Sequence, residues 1–267
     1  MTTSVLLLGC GKMGGAMLGG WLDRGLDPAR VWVVEPSSAS REALRGVTAV
    51  ASIGELPASA RPDVVVLAVK PQSVDSVLPE TLPYAGRAVF LSIIAGRTLR
   101  WFQDRLGPRA AIVRSMPNTP ASVRRGMTVA CAGPGVSEDQ RLHCADLLQA
   151  VGEVAWIEDE ALMDAVTAVS GSGPAYVFLL TEALAAAGVA AGLPADLAER
   201  LARATVTGSG ELLRLASEPP ADLRRNVTSP GGTTAAALSV LMDQDGLGPL
   251  MERAIAAATA RSRELAG

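Results

Sequence analysis

Ser4-Val5-Leu6-Leu7-Leu8-Gly9-Cys10-Gly11-Lys12-Met13-Gly14-Gly15 is the stretch on which the fold of this 267-residue chain depends. It joins a short apolar run to three glycines at G-x-G-x-x-G spacing and then to a helix start. The first glycine allows a tight turn, the second lets backbone approach a pyrophosphate, and the third lets the helix lie close to the strand. The positive end of that helix favours an anion, and Lys12 in its first turn fits a nearby phosphate. The stretch therefore predicts a nucleotide-binding turn, the alternative being a glycine-rich turn that binds nothing.

The overall composition is typical of a globular chain with an ample core. Hydrophobic residues make up 49% of the sequence and charged residues 19%, with a formal net charge of −3. A disordered chain would be richer in charge, and a nucleic-acid-binding chain would carry a basic stripe. The length predicts one or two domains. We therefore expect a small-molecule substrate and neither a nucleic-acid nor a membrane partner.

Cysteine and lysine are used sparingly. Cys10, Cys131 and Cys144 are odd in number and scattered, without a C-x-x-C or His/Cys cluster. We therefore expect neither a disulfide framework nor a metal site, and a reducing, cytoplasmic compartment. Lys12 and Lys70 are the only lysines. Chemistry in the second half of the chain must therefore proceed without a lysine acid.

Strand and helix patterns alternate through the first half. The β-branched run Asp63–Val69 is typical of a strand buried on both faces of a parallel sheet. Lys70-Pro71 follows it at the carboxyl end, where open α/β sheets bind their ligands. The other predicted strands are Val5–Leu8, Val31–Val34, Ala88–Ser92, Ala110–Arg114, Met127–Ala132 and Val154–Ile157. This alternation predicts an α/β fold with a Rossmann-type doubly wound sheet that binds a dinucleotide.

The end of the second strand carries conflicting signals about the dinucleotide. Glu35 lies 21 residues after Gly14, where an acid can bind the ribose hydroxyls of NAD. Ser37, Ser38, Ser40 and Arg41 follow at once, and hydroxyls with an arginine can hold the 2′-phosphate of NADP instead. The alternative for the serines is a polar loop that caps a helix over Ser40–Leu44. Both cofactors stay open on these residues.

From about residue 159 the strand patterns stop and helical patterns begin. We predict a dinucleotide-binding domain over residues 1–159 and an all-helical domain over residues 160–267. Ala175–Leu193 is almost wholly apolar, with Thr181 and Glu182 as its polar members, which is typical of a buried helix. A membrane span is possible by length, but Glu182 near its middle and the lack of anchoring charges argue against one. A small helical domain cannot surround such a helix, so we predict a homodimer with this helix in its interface.

A second glycine-containing loop runs into a helix over Asn226–Leu238. Backbone N–H groups of Gly232, Thr233 and Thr234, with two hydroxyls, would make a neutral pocket for a carboxylate. The alternative is a capped helix start that binds nothing.

Five separate stretches of the chain match one known family in order and spacing: Gly9–Gly14, Ala68–Pro71, Arg114–Pro120, Ala168–Tyr176 and Asn226–Leu238. In these stretches the chain resembles the pyrroline-5-carboxylate reductases. The resemblance runs from about residue 4 to residue 266, and its most specific part is Pro230-Gly231-Gly232-Thr233-Thr234. The family makes L-proline by hydride transfer from NAD(P)H to the C=N carbon of 1-pyrroline-5-carboxylate. It forms interlocked dimers, often assembled into larger rings.

The resemblance implies roles for individual residues. Thr234 matches the threonine whose hydroxyl contacts the ring nitrogen and is the predicted catalytic residue. The backbone of Gly232–Thr234 would hold the substrate carboxylate, and Glu160 matches an acid near the substrate. With the glycine turn and the Glu35 region included, the predicted cofactor-binding residues are Gly9, Gly11, Lys12, Met13, Gly14, Glu35, Ser37, Ser38, Ala68, Val69, Lys70, Pro71, Ala95, Asn118 and Asn226. NADP(H) is slightly favoured and NAD(H) stays open.

The chemistry of a cyclic imine fits this set of residues. The protonated imine is already a strong hydride acceptor, so the enzyme needs orientation more than a dedicated acid. His143, the only histidine, lies in an amphipathic helix and is interpreted as a surface or packing residue. Met242 departs from the family pattern, which has an acidic or amide residue there. The alternatives are a β-hydroxyacid dehydrogenase, a reductase for another cyclic imine, and a non-catalytic NAD(P)-sensing dimer.

Overall fold

The computed structural model describes residues 3–266. Its strands are β1 (Val5–Leu8), β2 (Val31–Val34), β3 (Thr48–Val50), β4 (Val64–Leu67), β5 (Val89–Ser92), β6 (Ala111–Met116), β7 (Gly126–Ala132) and β8 (Gly152–Ile157). Its α-helices are α1 (Lys12–Asp23), α2 (Ser38–Glu42), α3 (Val74–Val77), α4 (Leu99–Leu106), α5 (Glu138–Gln149), α6 (Met163–Val166), α7 (Gly173–Ala190), α8 (Ala195–Leu215), α9 (Pro220–Asn226), α10 (Thr233–Leu241) and α11 (Leu247–Ala266). Strands therefore give way to helices after β8, as predicted.

One sheet contains all eight of these strands, in the order β3-β2-β1-β4-β5-β6-β7-β8. Neighbouring strands are parallel except β6 and β7, which run antiparallel. The prediction of a doubly wound, mainly parallel sheet is confirmed. β3 was not predicted, because a three-residue strand carries too short an apolar run to be recognised. The antiparallel pair was not predicted either, since strand direction leaves no mark on a buried apolar run.

Side chains of β1 alternate between two buried layers, one on each face of the sheet. Leu7 belongs to the layer with Trp21 of α1, and Leu8 to the layer with Phe90 of β5. The indole N–H of Trp21 donates to the Leu147 carbonyl at 2.9 Å, which satisfies its polar atom inside the core. Helices cover both faces, so this part of the chain encloses its own core.

Internal contacts divide the chain into two compact units. We call the residues up to Gly171, together with those from Thr259 onward, the sheet unit, and Ser172–Ala258 the helical unit. The first turns after β8 stay with the sheet because Met163 packs in one cluster with Val129 and Cys131. The predicted domain boundary at residues 159 and 160 lies before these turns and stays a prediction.

The helical unit leaves most of its apolar surface uncovered. In α7, Phe178 is 67% exposed and Leu180 is 54% exposed. Among the described residues of this unit, Ala198 and Ala202 of α8 are the ones that are buried. α7 and α8 pack against each other, but two helices cover only one stripe of each other's surface. A helix that is apolar on all faces is therefore left open in the single chain.

Glu160–Ala190 is long and apolar enough to cross a membrane, and an 18-residue window within it has a mean hydropathy of 1.4. It is not one regular helix, since a π-helical turn, Thr167–Gly171, precedes α7. A helix covered by a second subunit has the same composition. The expectation of no membrane partner stays a prediction.

Candidate functional site

A cleft of about 510 Å³ lies at the carboxyl ends of β1, β2 and β4. Leu8 is in register with Val34 on one side and Leu67 on the other, so the three strands end level. The chain order reverses at β1, which makes this the switch point at which open α/β sheets bind ligands. The predicted cofactor residues that line the cleft are Gly9, Gly11, Glu35, Ala68, Val69 and Lys70.

Other cleft residues were missed from the sequence. Ala51, Ser52 and Ile53 follow β3, so they went unnoticed together with that strand. The regular alternation of strands and helices could have indicated a strand between β2 and β4. The remaining predicted residues of the sheet unit do not line the cleft: Lys12, Met13, Gly14, Ser37, Ser38, Pro71, Ala95 and Asn118. Asn226 is the last residue of α9 in the helical unit.

Each of the three motif glycines meets a different steric demand. Gly9 has φ +89°, and a Cβ there would lie 2.8 Å from the Ala68 carbonyl oxygen. A Cβ on Gly14 would collide with the Gly9 carbonyl oxygen, whereas one on Gly11 would meet no atom within 4 Å. The first and third glycines are therefore needed by the fold. The second faces open space in the cleft, where a ligand can come close.

The start of α1 is suited to an anion. Gly11 is its N-cap residue, and no described side chain caps this end. Lys12 in the first turn is exposed, and so is Lys70, three residues after β4. Unsatisfied N–H groups, the helix dipole and two cations together favour a pyrophosphate.

The Glu35 carboxylate is held by backbone donors. One oxygen accepts the Cys10 N–H at 2.9 Å and the other accepts the Ser37 N–H at 3.0 Å. Arg41 donates to the carbonyls of Glu35 and Pro36, both at 2.7 Å. Burial, and then the Glu35 charge, raise the pKa of the Cys10 thiol, which stays neutral near pH 7. The acid thus ties the glycine turn to the loop after β2.

Asn118 is also occupied by protein groups. Its side-chain carbonyl accepts the Met127 N–H at 2.9 Å, and its amide donates to the carbonyl and hydroxyl of Ser170 at 3.2 and 3.3 Å. These bonds join the end of β6, the start of β7 and the π-helical turn. In the structure the Asn118 amide thus serves as a link between elements.

Glu160 lies just after β8 and pairs with a buried arginine. Its Oε1 atom accepts from the Arg114 guanidinium at 2.7 Å and from the Leu99 N–H at 2.8 Å. The Arg114 side chain is only 8% exposed and that of Glu160 is 26% exposed. A buried arginine needs such a partner, because an unpaired buried charge is strongly destabilising.

The Pro-Gly-Gly stretch in the helical unit forms a turn that leads into α10. Gly231 has φ +70°, and the Gly232 N–H donates to the Ser229 carbonyl at 3.1 Å. Proline followed by a glycine with positive φ is typical of a type II turn, which explains Pro230 before Gly231. The local sequence therefore determines how the chain enters α10.

α10 begins at Thr233 with Gly232 as N-cap, and no described side chain caps it. The sequence predicts a free N–H at Gly232, but the turn uses that donor, so the available donors begin at Thr233. Thr233 is exposed and Thr234 half-buried. Neutral N–H donors at a helix start, beside two hydroxyls, can hold a carboxylate.

Two family models match the chain. Residues 160–265 match the model described as pyrroline-5-carboxylate reductase dimerisation, and residues 4–96 match the one described as NADP oxidoreductase coenzyme F420-dependent. The chain thus combines a dinucleotide-binding region with a dimerisation domain. The region 4–96 contains the glycine turn and β1 to β5, and the region 160–265 begins just after β8 and contains the helices that follow it.

Known proteins resemble the chain along its whole length. A pyrroline-5-carboxylate reductase of Pseudomonas aeruginosa is 39% identical over 99% of this chain and 97% of its own. A solved structure of such a reductase from Coxiella burnetii is 35% identical, with a TM-score of 0.93 over 100% of both chains. The Plasmodium falciparum structure, solved with NADP bound, is 31% identical, with a TM-score of 0.83 over 99% of this chain and 98% of its own.

Proposed function

The chain belongs to the pyrroline-5-carboxylate reductase family, and from that premise we propose how its own residues carry out the reaction. It is an NAD(P)H-dependent oxidoreductase that transfers a hydride to the C=N bond of 1-pyrroline-5-carboxylate and so makes L-proline. This is the last step of proline biosynthesis. The assignment of roles to residues depends above all on one observation, the uncapped start of α10 at two threonines.

The sheet unit binds the dinucleotide in this proposal. The pyrophosphate lies at the start of α1, close to Gly11, with Lys12 and Lys70 as the nearby cations. Ala68–Pro71 and Ala95 line the remainder of the cofactor at the ends of β4 and β5. The bound NAD(P)H supplies the hydride, and the protein supplies its position.

The helical unit binds the substrate. The N–H groups of Thr233 and Thr234 hold the carboxylate, and the Thr234 hydroxyl contacts the ring nitrogen. These donors are neutral, so the carboxylate is bound through the helix start without lysine or histidine. The ring nitrogen takes its proton from the solvent in the equilibrium between imine and iminium. The iminium carbon then accepts the hydride and becomes the ring amine, so the residues of the site act by orienting the ring.

We favour NADPH over NADH as the reductant. The Glu35 carboxylate already accepts hydrogen bonds from two backbone N–H groups. Arg41 donates hydrogen bonds to the carbonyls of Glu35 and Pro36. A cation and the hydroxyls of Ser37 and Ser38 suit a 2′-phosphate. The ratio of kcat/KM for NADPH and NADH measures this preference directly.

The dimerisation domain assembles the chain as a homodimer. We place α7 in the dimer interface, since it carries a continuous apolar surface that is exposed in the single chain. Further association into a ring of dimers and a cytoplasmic location complete the proposal. The three cysteines are unpaired, which fits a reducing compartment.

Replacing Thr234 tests the proposed catalytic contact. We expect Thr234→Ala to lower kcat/KM for 1-pyrroline-5-carboxylate about tenfold or more, because leaving the ring nitrogen without its hydroxyl partner costs about 1–3 kcal/mol. NADPH oxidation at saturating cofactor is the measurement. Thr234→Ser keeps the hydroxyl and should retain most of the activity.

Thr233→Ala is the matched control, since it removes the neighbouring hydroxyl and leaves both backbone donors in place. We expect its kcat/KM to fall less than that of Thr234→Ala. Unchanged kinetics in Thr234→Ala would remove this residue from the mechanism. Absence of turnover by the wild-type chain with either NADPH or NADH would contradict the reductase function itself.

A further inference from the structure

Residues 93–98 join β5 to α4, and we call them the Ala95 loop. Glu160 accepts a hydrogen bond from the first residue of α4, directly after this loop. Leu99 begins α4, and its N–H donates to Glu160 Oε1 at 2.8 Å. The hydroxyl of Thr98, the N-cap residue, accepts the Trp101 N–H at 3.1 Å. A carboxylate at a helix N-terminus also interacts favourably with the helix dipole. Two side chains therefore hold the point at which the loop becomes helix, and one comes from beyond β8.

The same carboxylate oxygen is anchored from the sheet side by Arg114. This residue lies in β6 and its guanidinium is 2.7 Å from Glu160 Oε1. Since the Arg114 side chain is 8% exposed and lies within a strand, it gives the carboxylate a rigid reference point. Glu160 therefore fixes the end of the Ala95 loop relative to the sheet.

The middle of the Ala95 loop is held from another direction. Gly96 has φ +73°, and a Cβ there would lie 3.0 Å from the carbonyl oxygen of Leu265 in α11. The Ser262 hydroxyl, one turn earlier in α11, donates to Asp164 of α6 at 2.7 Å. The end of α11 is thus fastened to α6 and lies against the loop.

The loop leaves the sheet beside the strand that carries Lys70. Ser92, the last residue of β5, is in register with Leu67, the last residue of β4. Ala95 and the segment Ala68–Pro71 therefore emerge from neighbouring strand ends, and Ala95 is exposed. A shift of the loop would move Ala95 relative to any dinucleotide at this edge of the sheet.

We propose that Glu160 is a positioning residue that fixes the Ala95 loop for dinucleotide binding through Leu99 and Arg114, without touching the substrate. The resemblance predicts Glu160 as a substrate-binding acid, whereas its described contacts are with the sheet and the α4 start. The proposal rests on the proposed role of Ala95 as a cofactor contact. It assigns the effect of Glu160 to the affinity for NADPH.

The test measures NADPH binding without substrate, by titrating the fluorescence of the nicotinamide. We expect Glu160→Ala to raise the Kd for NADPH about tenfold, since a misplaced loop weakens every contact it makes. The KM for 1-pyrroline-5-carboxylate at saturating NADPH should stay within about twofold of the wild-type value, because uniform substrate binding is unaffected. Glu160→Gln keeps an acceptor of the same reach and should bring the Kd back to within about threefold of wild type.

Two further variants keep the result interpretable. Glu158→Ala removes a carboxylate two residues earlier whose side chain is 90% exposed, and it should change neither constant. The double variant Glu160→Ala/Arg114→Met removes the buried charge that the single variant leaves unpaired. It should fold and still show the raised Kd for NADPH.

Opposite results would overturn the inference. A raised KM for 1-pyrroline-5-carboxylate with an unchanged Kd for NADPH would return Glu160 to the substrate site. An equally raised Kd for NADPH in Glu160→Gln and Glu160→Ala would mean that the acceptor oxygen of Glu160 does not position the loop. Ala95→Leu tests the cofactor contact of Ala95 separately from the positioning role of Glu160. If it weakens NADPH binding while Glu160→Ala does not, the inference fails and the proposed cofactor contact stands. If neither variant affects the Kd, the cofactor contact fails as well.

Discussion

The sheet unit closes its core within one chain, whereas the helical unit does not. Trp21, Phe90 and Phe102 of the sheet unit are fully buried. In the helical unit, Phe178 and Leu180 are 67% and 54% exposed, although they lie in α7, which is almost wholly apolar. A parallel sheet with helices on both faces forms three layers and surrounds its own strands. The helices of the other unit lack a covering layer.

This difference shows that hydrophobicity alone does not decide burial in one chain. An exposed apolar surface of this extent marks an interface, because leaving it in water is costly. In the proposed dimer, a second copy of the chain supplies the missing layer. We therefore expect the sheet unit to be stable without the partner and the helical unit to require it.

Placing a charge on α7 is the strongest way to break this contrast. We expect Leu180→Glu to shift the chain to monomers and lower activity about 100-fold, because a carboxylate buried unpaired in an apolar interface costs about 3–5 kcal/mol. Light scattering after size-exclusion chromatography and far-UV circular dichroism are the measurements. The dichroism should report lost helix, since the helical unit loses its cover.

Leu142→Glu is the matched control for that substitution. Leu142 lies on α5 of the sheet unit and is 54% exposed, the same fraction as Leu180. Assembly and activity should be unchanged in this variant. If both variants dissociate, or neither does, exposed leucines have the same role in both units. The contrast between the two units is then wrong.

Within the sheet unit, two motif glycines should separate folding from cofactor binding. We expect Gly14→Ala to lower the free energy of unfolding by about 1–3 kcal/mol, because its Cβ collides with the Gly9 carbonyl oxygen. Gly11→Ala should leave stability within about 0.5 kcal/mol, since its Cβ meets no atom. It should raise the Kd for NADPH about tenfold by filling the space for the pyrophosphate. Denaturation curves and NADPH titrations distinguish the two, and equal effects on both measurements would contradict this division.

The smallest expected effect is a pH dependence that reports on the closed core alone. Burial raises the pKa of the Cys144 thiol above its ordinary value of 9.0. The folded state therefore keeps a proton that the unfolded chain releases, so stability is full below pH 9 and falls as pH rises above it. Between about pH 8 and pH 10 we expect Cys144 to account for a loss of about 1 kcal/mol in the free energy of unfolding.

The free energies of unfolding of the wild type and of Cys144→Ala are measured at both pH values. The contribution of Cys144 is the difference between the losses that the two proteins show between these pH values. The alanine variant should lose less stability on going to high pH, whatever its stability at pH 8. Equal losses would mean that the thiol is accessible to water. The helical unit contains no cysteine, so it does not contribute to this signal.

Much of the fold could be predicted because its signals are local. Val31–Val34 was placed to the residue, and the glycine turn leads into a helix as predicted. The candidate site was predictable where one short segment builds it, as in the turn at Pro230 and Gly231. It was not predictable where a side chain forms hydrogen bonds with distant segments. Glu35 accepts the Cys10 N–H, and Asn118 forms hydrogen bonds with Met127 and Ser170.

By itself the sequence determined the glycine turn, the alternation of strands and helices and the almost wholly apolar α7. These follow from steric demands and periodicities within a few residues, which act in any context. Only the tertiary structure decided that β6 and β7 run antiparallel and that Glu160 joins Arg114 to Leu99. Those outcomes depend on which distant surfaces meet when the sheet closes, and a contact between residues 46 or 61 positions apart leaves no local pattern.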